Sequence, residues 1–232
     1  MRQKGAFFDV DGTLVASNVV RYAVEIRTIG MPPSQRRLWK AGFLPRIPYY
    51  LALDRVNRGI FQRAFYRIYR PVSPDELQRR AQELFEHHIR PRLLPAAVAR
   101  VAEHRDRGDR VVLVSGSLVE IVKLVADHVG ADDIIAARLT IADGVYTGAI
   151  EGQPIAGQTK ADAVTEYAAE NQISLSRSFA YADSLDDLPM LQTVGRPAVV
   201  NPGRRLLQSA RAHRWGVYVW DSTIPGPAIK AR

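Results

Sequence analysis

Short apolar runs closed by small or acidic residues recur along the chain. The first, GAFFDV at residues 5–10, ends in Asp and Gly, which is typical of a strand buried on both faces. RVVLVSGS at 110–117 has the same form. Three further strands are predicted at 133–138, 178–183 and 196–201, and WGVYVW at 215–220 is predicted as the last, edge strand.

Helical patterns separate most of these runs. PAAVARVAEHRDRG precedes the second strand and LVEIVKLVADHVG follows it, while KADAVTEYAAENQ and DLPMLQTVG flank the fourth. Strands that alternate with helices of this length favour an α/β fold, with a Rossmann-like parallel sheet covered on both faces. TIADGVYTGAI at 140–150 differs, because its central Asp-Gly between alternating residues predicts a small β-hairpin.

Residues 15–92 interrupt this alternation and contain no convincing strand. MPPS, LPRIP and RPVSP divide the segment into about four helices. In GIFQRAFYRIY the apolar positions recur with the 3.6-residue period of an amphipathic helix; they are Ile60, Phe61, Ala64, Phe65, Ile68 and Tyr69. We therefore predict a core domain formed by residues 1–14 and 93–232, and a helical cap domain inserted at residues 15–92.

Composition limits the classes of protein. The 232 residues are 47% hydrophobic and 24% charged, which indicates a globular protein of one large or two modest domains. Because there is no cysteine, disulfides, thiolate zinc sites and a catalytic thiol are excluded. The beginning MRQKG lacks the apolar stretch of a signal peptide, and no uncharged run approaches the roughly 20 residues that cross a bilayer. We expect a cytoplasmic protein.

The positive charge is concentrated in one part of the chain. Residues 15–107 carry 18 lysines and arginines against 8 acidic residues, whereas the remainder carries 14 against 16. Residues 34–70 combine nine cations with eight aromatic residues and one acid, Asp54. One interpretation is a peripheral contact with an anionic membrane surface. The favoured one is that the aromatic rings pack inside the cap and the arginines face water.

Polar residues follow three of the predicted strands. Asp9 and Asp11 close the first, Ser115 and Gly116 the second, and Asp183 and Asp187 follow the fourth, while Lys160 lies where a helix begins. Each motif taken singly has a simpler explanation as a turn, a helix cap or a solvated charge. Because ligands of open α/β sheets lie beyond the carboxyl ends of the strands, the topology predicts that these residues meet.

The residue types indicate phosphoryl transfer. Clustered carboxylates repel one another unless a cation neutralises them, and oxygen ligands suit Mg²⁺. A lysine and backbone amides suit a phosphate group. An aspartate beside both is a candidate nucleophile for an acyl-phosphate mechanism. A nucleic-acid-binding module, the competing class, leaves the acidic cluster unexplained because the acids would repel phosphate without a metal. A catalytically inactive interaction protein leaves the complete set of motifs unexplained.

DVDGT, the strand ending in Ser115, Lys160 and the D-x-x-x-D element resemble the four motifs of the haloacid dehalogenase-like (HAD) phosphohydrolases. The insertion after the first motif is similar to the C1-type helical cap of subfamily IB, which contains phosphoserine phosphatases. The resemblance covers nearly the whole chain. It implies a HAD fold and a Mg²⁺-dependent phosphatase acting on a small phosphorylated substrate.

The resemblance also implies a role for each matching residue. Asp9 would be the nucleophile, and Asp11 would protonate the leaving oxygen and then activate water. Ser115, Gly116 and Lys160 would bind the phosphate. Asp9, the main-chain carbonyl of Asp11, and Asp183 would hold Mg²⁺, with Asp187 ordering the metal shell.

Two positions depart from the phosphoserine phosphatase pattern. Asn18 stands where those enzymes have a glutamate that contacts the substrate amine, and Glu25, further along the chain, is not an obvious replacement. Asp186 stands where they have an asparagine. We therefore keep two alternatives for the substrate. One is a small phosphoserine-like metabolite; the other is a lipid phosphate of the lysophosphatidate or phosphatidylglycerophosphate type, with the cap lying on the membrane surface. The oligomeric state is not predicted.

Overall fold

The computed structural model describes residues 3–220 and the backbone of residues 229–230. Most of the described strands belong to one sheet; they are β1 (Gly5–Phe8), β2 (Arg110–Leu118), β3 (Asp133–Ala137), β6 (Phe179–Ala182), β7 (Arg196–Val200), β8 (Gly216–Val219) and β9 (Ile229–Lys230). Their order is β3-β2-β1-β6-β7-β8-β9, and all neighbours are parallel except β8 and β9. β4 (Leu139–Ala142) and β5 (Val145–Ile150) form the predicted antiparallel hairpin.

The apolar strands are buried because helices cover both faces of the sheet. Phe8 and Leu113 belong to the apolar cluster on one face, and Phe7 and Val112 belong to the cluster on the other. Side chains that alternate along a strand point to opposite faces, so an uninterrupted apolar run is what a doubly covered sheet requires. The predicted α/β fold with a parallel sheet is confirmed.

Five α-helices lie within residues 15–92: α1 (Val19–Thr28), α2 (Pro33–Phe43), α3 (Ile47–Val56), α4 (Arg58–Phe65) and α5 (Pro74–Leu84). Polar caps define several of their beginnings. The Asn57 carboxamide accepts a hydrogen bond from the Ile60 amide (3.0 Å) and so begins α4 directly after α3. The prediction of about four helices was therefore wrong, because this break depends on an asparagine cap and not on Pro or Gly.

The remaining helices pack against the sheet; they are α6 (Pro95–Asp106), α7 (Val119–Val129), α8 (Gly157–Glu170), α9 (Leu188–Gln192) and α10 (Arg204–Ala212). One strand prediction was wrong. β8 is not the edge, because β9 pairs with it. Two residues are too short for any period to show in the sequence.

The buried stripe of α4 is displaced from the predicted one. Phe61 and Phe65 are buried as expected, as is Tyr69 in the 3₁₀ helix Tyr66–Tyr69 that follows α4, but Ile60 is 49% exposed. Gln62 is buried instead. The helix is therefore turned so that a polar side chain faces the carboxyl edge of the sheet.

We propose that residues 15–92 form a cap domain, although their apolar core is continuous with one face of the sheet. The points where the chain leaves and re-enters the core are adjacent. Val15 forms an isolated antiparallel bridge with Leu93, and the Leu94 amide donates to the Leu14 carbonyl (2.9 Å). Two adjacent connections between the segment and the core are what an inserted domain requires.

Among the described residues, every helix is too short or too polar to span a lipid bilayer.

Candidate active site

The predicted site residues meet at the carboxyl ends of β1, β2 and β6. β1 lies between the other two, which is the point where the strand order reverses and where open α/β sheets bind ligands. A cavity of about 40 Å³, the site cavity, lies over this edge. Its lining includes Asp9, Asp11, Gly116, Lys160, Asp183 and Asp187 from the predicted set. The topology thus brings together residues from four separate stretches of sequence.

Gly12 permits the close approach of two of these stretches. Its φ is +90°, in the region that favours glycine, and a Cβ at this position would overlap the carboxylate of Asp183. The neighbouring Thr13 is fully buried and donates a hydrogen bond to Asp183 Oδ1 (3.4 Å). The Asp-Gly-Thr sequence is therefore needed to seat Asp183 against the end of β1.

Lys160 lies in the first turn of α8 and is 3% exposed. Its Nζ donates to Asp9 Oδ1 and to Asp187 Oδ1, each at 2.6 Å. The start of α8 is itself fixed, because the Gly157 amide donates to Asp186 Oδ2 (2.9 Å). Asp187 therefore binds Lys160 directly, while Asp186 holds the start of α8, the helix that carries Lys160.

Burial and mutual repulsion perturb the acids. Burial raises the pKa of Asp9 well above its ordinary value, the Lys160 charge opposes this rise, and Asp187 and Asp183 add to it. Burial, with repulsion from Asp187, raises the pKa of Asp183 to about 6. Burial lowers the pKa of Lys160, but Asp187 and Asp9 outweigh it, so the net shift is upward. One cation does not neutralise this cluster.

The arrangement fits a divalent cation with oxygen ligands. Asp9, Asp183 and Asp187 each offer a carboxylate oxygen, and these atoms lie within 4.8 Å of one another. Asp9 Oδ2 is buried with no hydrogen-bond partner among the described residues. A buried carboxylate oxygen without a donor is costly unless a cation binds it, and Mg²⁺ prefers such ligands. The donor set therefore suits Mg²⁺.

Asp11 is held away from this cluster by two serines. Ser115 Oγ and Ser117 Oγ both donate to Asp11 Oδ2, at 2.9 and 2.7 Å. Asp11 Oδ1 has no hydrogen-bond partner among the described residues. The carboxylate is thus fixed through one of its two oxygens, Oδ2. Sequence reasoning noted the Ser-Gly-Ser motif but gave Ser117 no role.

Ser115 and Gly116, two of the residues predicted to bind phosphate, lie at the carboxyl edge of the sheet and already make hydrogen bonds there. The Ser115 hydroxyl donates to Asp11 and accepts from the Ser117 amide (2.9 Å). The Gly116 carbonyl accepts a hydrogen bond from the buried Tyr66 hydroxyl of the helical segment. A Cβ at Gly116 would overlap the carboxamide of Gln62, so glycine here leaves room for the end of that side chain.

α4 contributes two residues that the sequence did not indicate, Arg58 and Gln62. Both line the site cavity. Gln62 is 3% exposed, and its Oε1 has no hydrogen-bond partner among the described residues. Arg58 and Gln62 are the side chains that a phosphate would displace or contact.

We expect Asp183→Asn to raise the free energy of unfolding of the metal-free protein by about 1–3 kcal/mol at neutral pH. The folded protein binds the Asp183 proton more tightly than the unfolded chain does. Stability from this residue is therefore fully present below about pH 4 and is lost as the pH rises through about 6. Asparagine does not ionise, so the Asp183→Asn protein does not lose this stability as the pH rises.

Calorimetry with and without millimolar Mg²⁺ checks this assignment. Mg²⁺ should raise the melting temperature of the wild type and leave that of Asp183→Asn nearly unchanged. The exposed substitution Asp127→Asn is the matched control and should keep the full Mg²⁺ effect. Equal stabilisation of wild type and Asp183→Asn would remove Asp183 from the metal-binding set.

Comparisons with known proteins show which family and which folds this chain resembles. The family model for haloacid dehalogenase-like hydrolases matches residues 6–192. A probable phosphatase of Mycobacterium tuberculosis is 30% identical over 97% of this chain and 80% of its own length. A phosphoserine phosphatase of Streptococcus thermophilus is 29% identical over 81% of this chain and 79% of its own length. A crystal structure of a Bordetella pertussis protein of unknown function superposes with a TM-score of 0.77 and is 28% identical, covering 94% of this chain and 98% of that one.

Proposed function

Because the chain belongs to the haloacid dehalogenase-like hydrolase family, we propose that it is a Mg²⁺-dependent phosphatase that hydrolyses phosphomonoesters through a phosphoaspartate on Asp9. The observation that carries this proposal is the state of the Asp9 carboxylate. Lys160 holds Oδ1, while Oδ2 is buried and unpaired among the described residues. A carboxylate fixed in this way at a strand end supports the role of Asp9 as the nucleophile.

Asp9 and Asp183 would hold the Mg²⁺, with the Asp11 main-chain carbonyl as a further ligand and Asp187 beside them. When bound, the metal supplies positive charge that offsets the repulsion between the acids and the phosphate. Lys160 adds a fixed positive charge next to Asp9. Ser115 and Gly116 are proposed to contact the phosphate oxygens from the end of β2.

The reaction has two displacement steps. An Asp9 oxygen bonds to phosphorus as the bond to the ester oxygen breaks, and Asp11 gives its proton to the departing alcohol. Asp11, now ionised, accepts a proton from water as that water attacks the phosphoaspartate. Inorganic phosphate leaves, and the Asp9 carboxylate is restored. Asp11 Oδ1 is suited to this exchange because Ser115 and Ser117 engage only Oδ2.

We expect Asp11→Asn to lower kcat by about 10²–10⁴-fold for an alkyl phosphate, which is the usual contribution of general acid–base catalysis. The loss should be smaller for formation of the phosphoaspartate from p-nitrophenyl phosphate, since nitrophenolate departs without a proton. A pre-steady-state burst of nitrophenol measures that step, and the melting temperature reports the fold. Equal losses in the first step for both esters would contradict the acid role.

The proposed substrate is a small phosphorylated metabolite, and phosphoserine is the first one to test because the Streptococcus thermophilus relative is named for it. The pattern of contacts gives little support to amino-acid recognition. Asn18 Oδ1 accepts from the Arg21 amide (3.0 Å) and caps α1. Glu25 pairs with Arg36 and with Lys40 (3.2 Å). Neither offers a free carboxylate to a substrate ammonium group.

A lipid phosphate is a second candidate, which the surface of the helical segment favours. The aromatic residues Phe43, Phe61, Phe65, Tyr66 and Tyr69 are buried, so the packing interpretation is confirmed for them. Six large apolar residues of the same segment are exposed: Leu38, Leu44, Tyr49, Leu51, Val56 and Ile60. Exposed apolar side chains among cations fit an anionic membrane surface.

Phosphate release tests the proposed function. Phosphoserine and p-nitrophenyl phosphate are assayed with Mg²⁺, with EDTA-treated wild type and Asp9→Asn as blanks. We expect release from at least one ester that both blanks abolish. Release that survives EDTA or the substitution contradicts the proposal.

A further inference from the structure

A second cavity, the apolar cavity, opens beside the site cavity between α1, α3 and α4. Its volume is about 280 Å³, close to the lower end of the range for small-molecule pockets. Six of its lining residues are apolar or aromatic: Val19, Val20, Ile47, Tyr50, Leu51 and Phe61. Val19 and Arg58 line both cavities, so the two cavities adjoin at these side chains.

The polar groups of the apolar cavity are already engaged. Both Asp54 carboxylate oxygens accept from Arg58 Nη1, at 2.9 and 3.1 Å, which neutralises the pair. The Asn18 carbonyl oxygen is occupied as the cap of α1. An ammonium or carboxylate group entering here would exchange water for groups that are already paired, and such burial is unfavourable.

We propose that this cavity binds an apolar organic group on the substrate, so that the enzyme acts on phosphate monoesters of apolar alcohols. This inference rests on the proposed phosphatase function and specifies its substrate class. Leu51, 53% exposed at the cavity, would lose that exposure to an alkyl or aryl group. Removal of this surface from water supplies the affinity.

A series of n-alkyl phosphates from methyl to hexyl, kept below their micellar concentrations, measures the contribution of the cavity. We expect kcat/KM to rise about three- to fourfold for each added methylene that enters the cavity, and by at least about 100-fold across the series. Phosphoserine should be hydrolysed less efficiently than hexyl phosphate. A flat series, or a preference for phosphoserine, overturns the inference.

Leu51→Asp tests the location of the effect. This substitution should reduce the hexyl-to-methyl ratio of kcat/KM by about tenfold or more, because a charge then faces the alkyl chain. Leu38→Asp is the matched control: Leu38 is 76% exposed in α2 and does not line the cavity, so the ratio should persist. A ratio unchanged in Leu51→Asp overturns the assignment of the cavity.

Binding without turnover separates this inference from the proposed function. Alkylphosphonates carry the same groups on a bond that phosphatases do not hydrolyse, and calorimetry with the wild type and Mg²⁺ gives their affinities. Affinity that rises with chain length supports the cavity even if no ester is hydrolysed. Hydrolysis that depends on Asp9, without any chain-length effect on rate or affinity, leaves the phosphatase standing and overturns the apolar substrate.

Dodecyl phosphate embedded in phosphatidylcholine vesicles shows whether the enzyme takes its apolar phosphate ester from a lipid surface or from solution. Hydrolysis in vesicles as well as of soluble esters supports an apolar substrate drawn from a lipid surface. Hydrolysis of the soluble esters alone supports a free apolar phosphate.

Discussion

Asp9→Asn is expected to abolish hydrolysis, with a loss of at least about 10⁴-fold in kcat for every ester. A carboxamide is a far weaker nucleophile than a carboxylate, so the substituted residue should not attack phosphorus. The substitution is nearly isosteric. Asn Oδ1 can still accept from Lys160, so the fold should survive.

The stability of Asp9→Asn should lie within about 1 kcal/mol of the wild type. Loss of the attraction to Lys160 is offset by loss of a buried charge, since burial disfavours the ionised Asp9 carboxylate. Asp127→Asn, at an exposed position on α7, is the control and should keep full activity. A folded Asp9→Asn protein that still releases phosphate would contradict the nucleophile assignment.

Among these substitutions, Lys160→Met is expected to destabilise the protein most. It should lower the free energy of unfolding of the metal-free protein by about 3–5 kcal/mol at neutral pH. The substitution leaves Asp9 and Asp187 buried at 5% exposure each without their shared cation. The cost should shrink as the pH falls, because the Asp9 carboxyl group, whose pKa burial raises, then takes up a proton and loses its charge. Urea denaturation at several pH values measures this dependence.

Lys123→Met supplies the matched control. Lys123 is 65% exposed and pairs with Asp127 one helical turn away, so its removal should change stability by less than about 0.5 kcal/mol. The result that would contradict a buried charge cluster is a Lys160→Met protein as stable as this control. A cost independent of pH would also contradict it, since loss of packing alone does not titrate.

The fold was predictable from the sequence where burial determines the pattern. Strands covered on both faces need continuous apolar runs, so β1 and β2 were evident within one or two residues of their bounds. The break between α3 and α4 was not evident, because it depends on the Asn57 cap within an otherwise helical stretch. β9 was missed because two residues establish no period.

The acidic side of the candidate site was predictable for a topological reason. Residues that end parallel strands must share an edge, so Asp9 and Asp183 could be placed together before any contact was known. Gln62 could not, because its position depends on how the helical segment docks on the sheet. A weak signal exists in retrospect: Gln62 is three, four and seven residues before Phe65, Tyr66 and Tyr69, all buried.

The central claim is that Asp9 carries the phosphoryl group during turnover. Borohydride added to the working enzyme reduces an acyl phosphate to an alcohol, which converts the aspartate to homoserine. Trypsin then releases residues 5–21, which contain both Asp9 and Asp11. We expect fragmentation to locate homoserine at position 9, only when substrate and Mg²⁺ are present. Homoserine at position 11, or at another acid, would contradict the account.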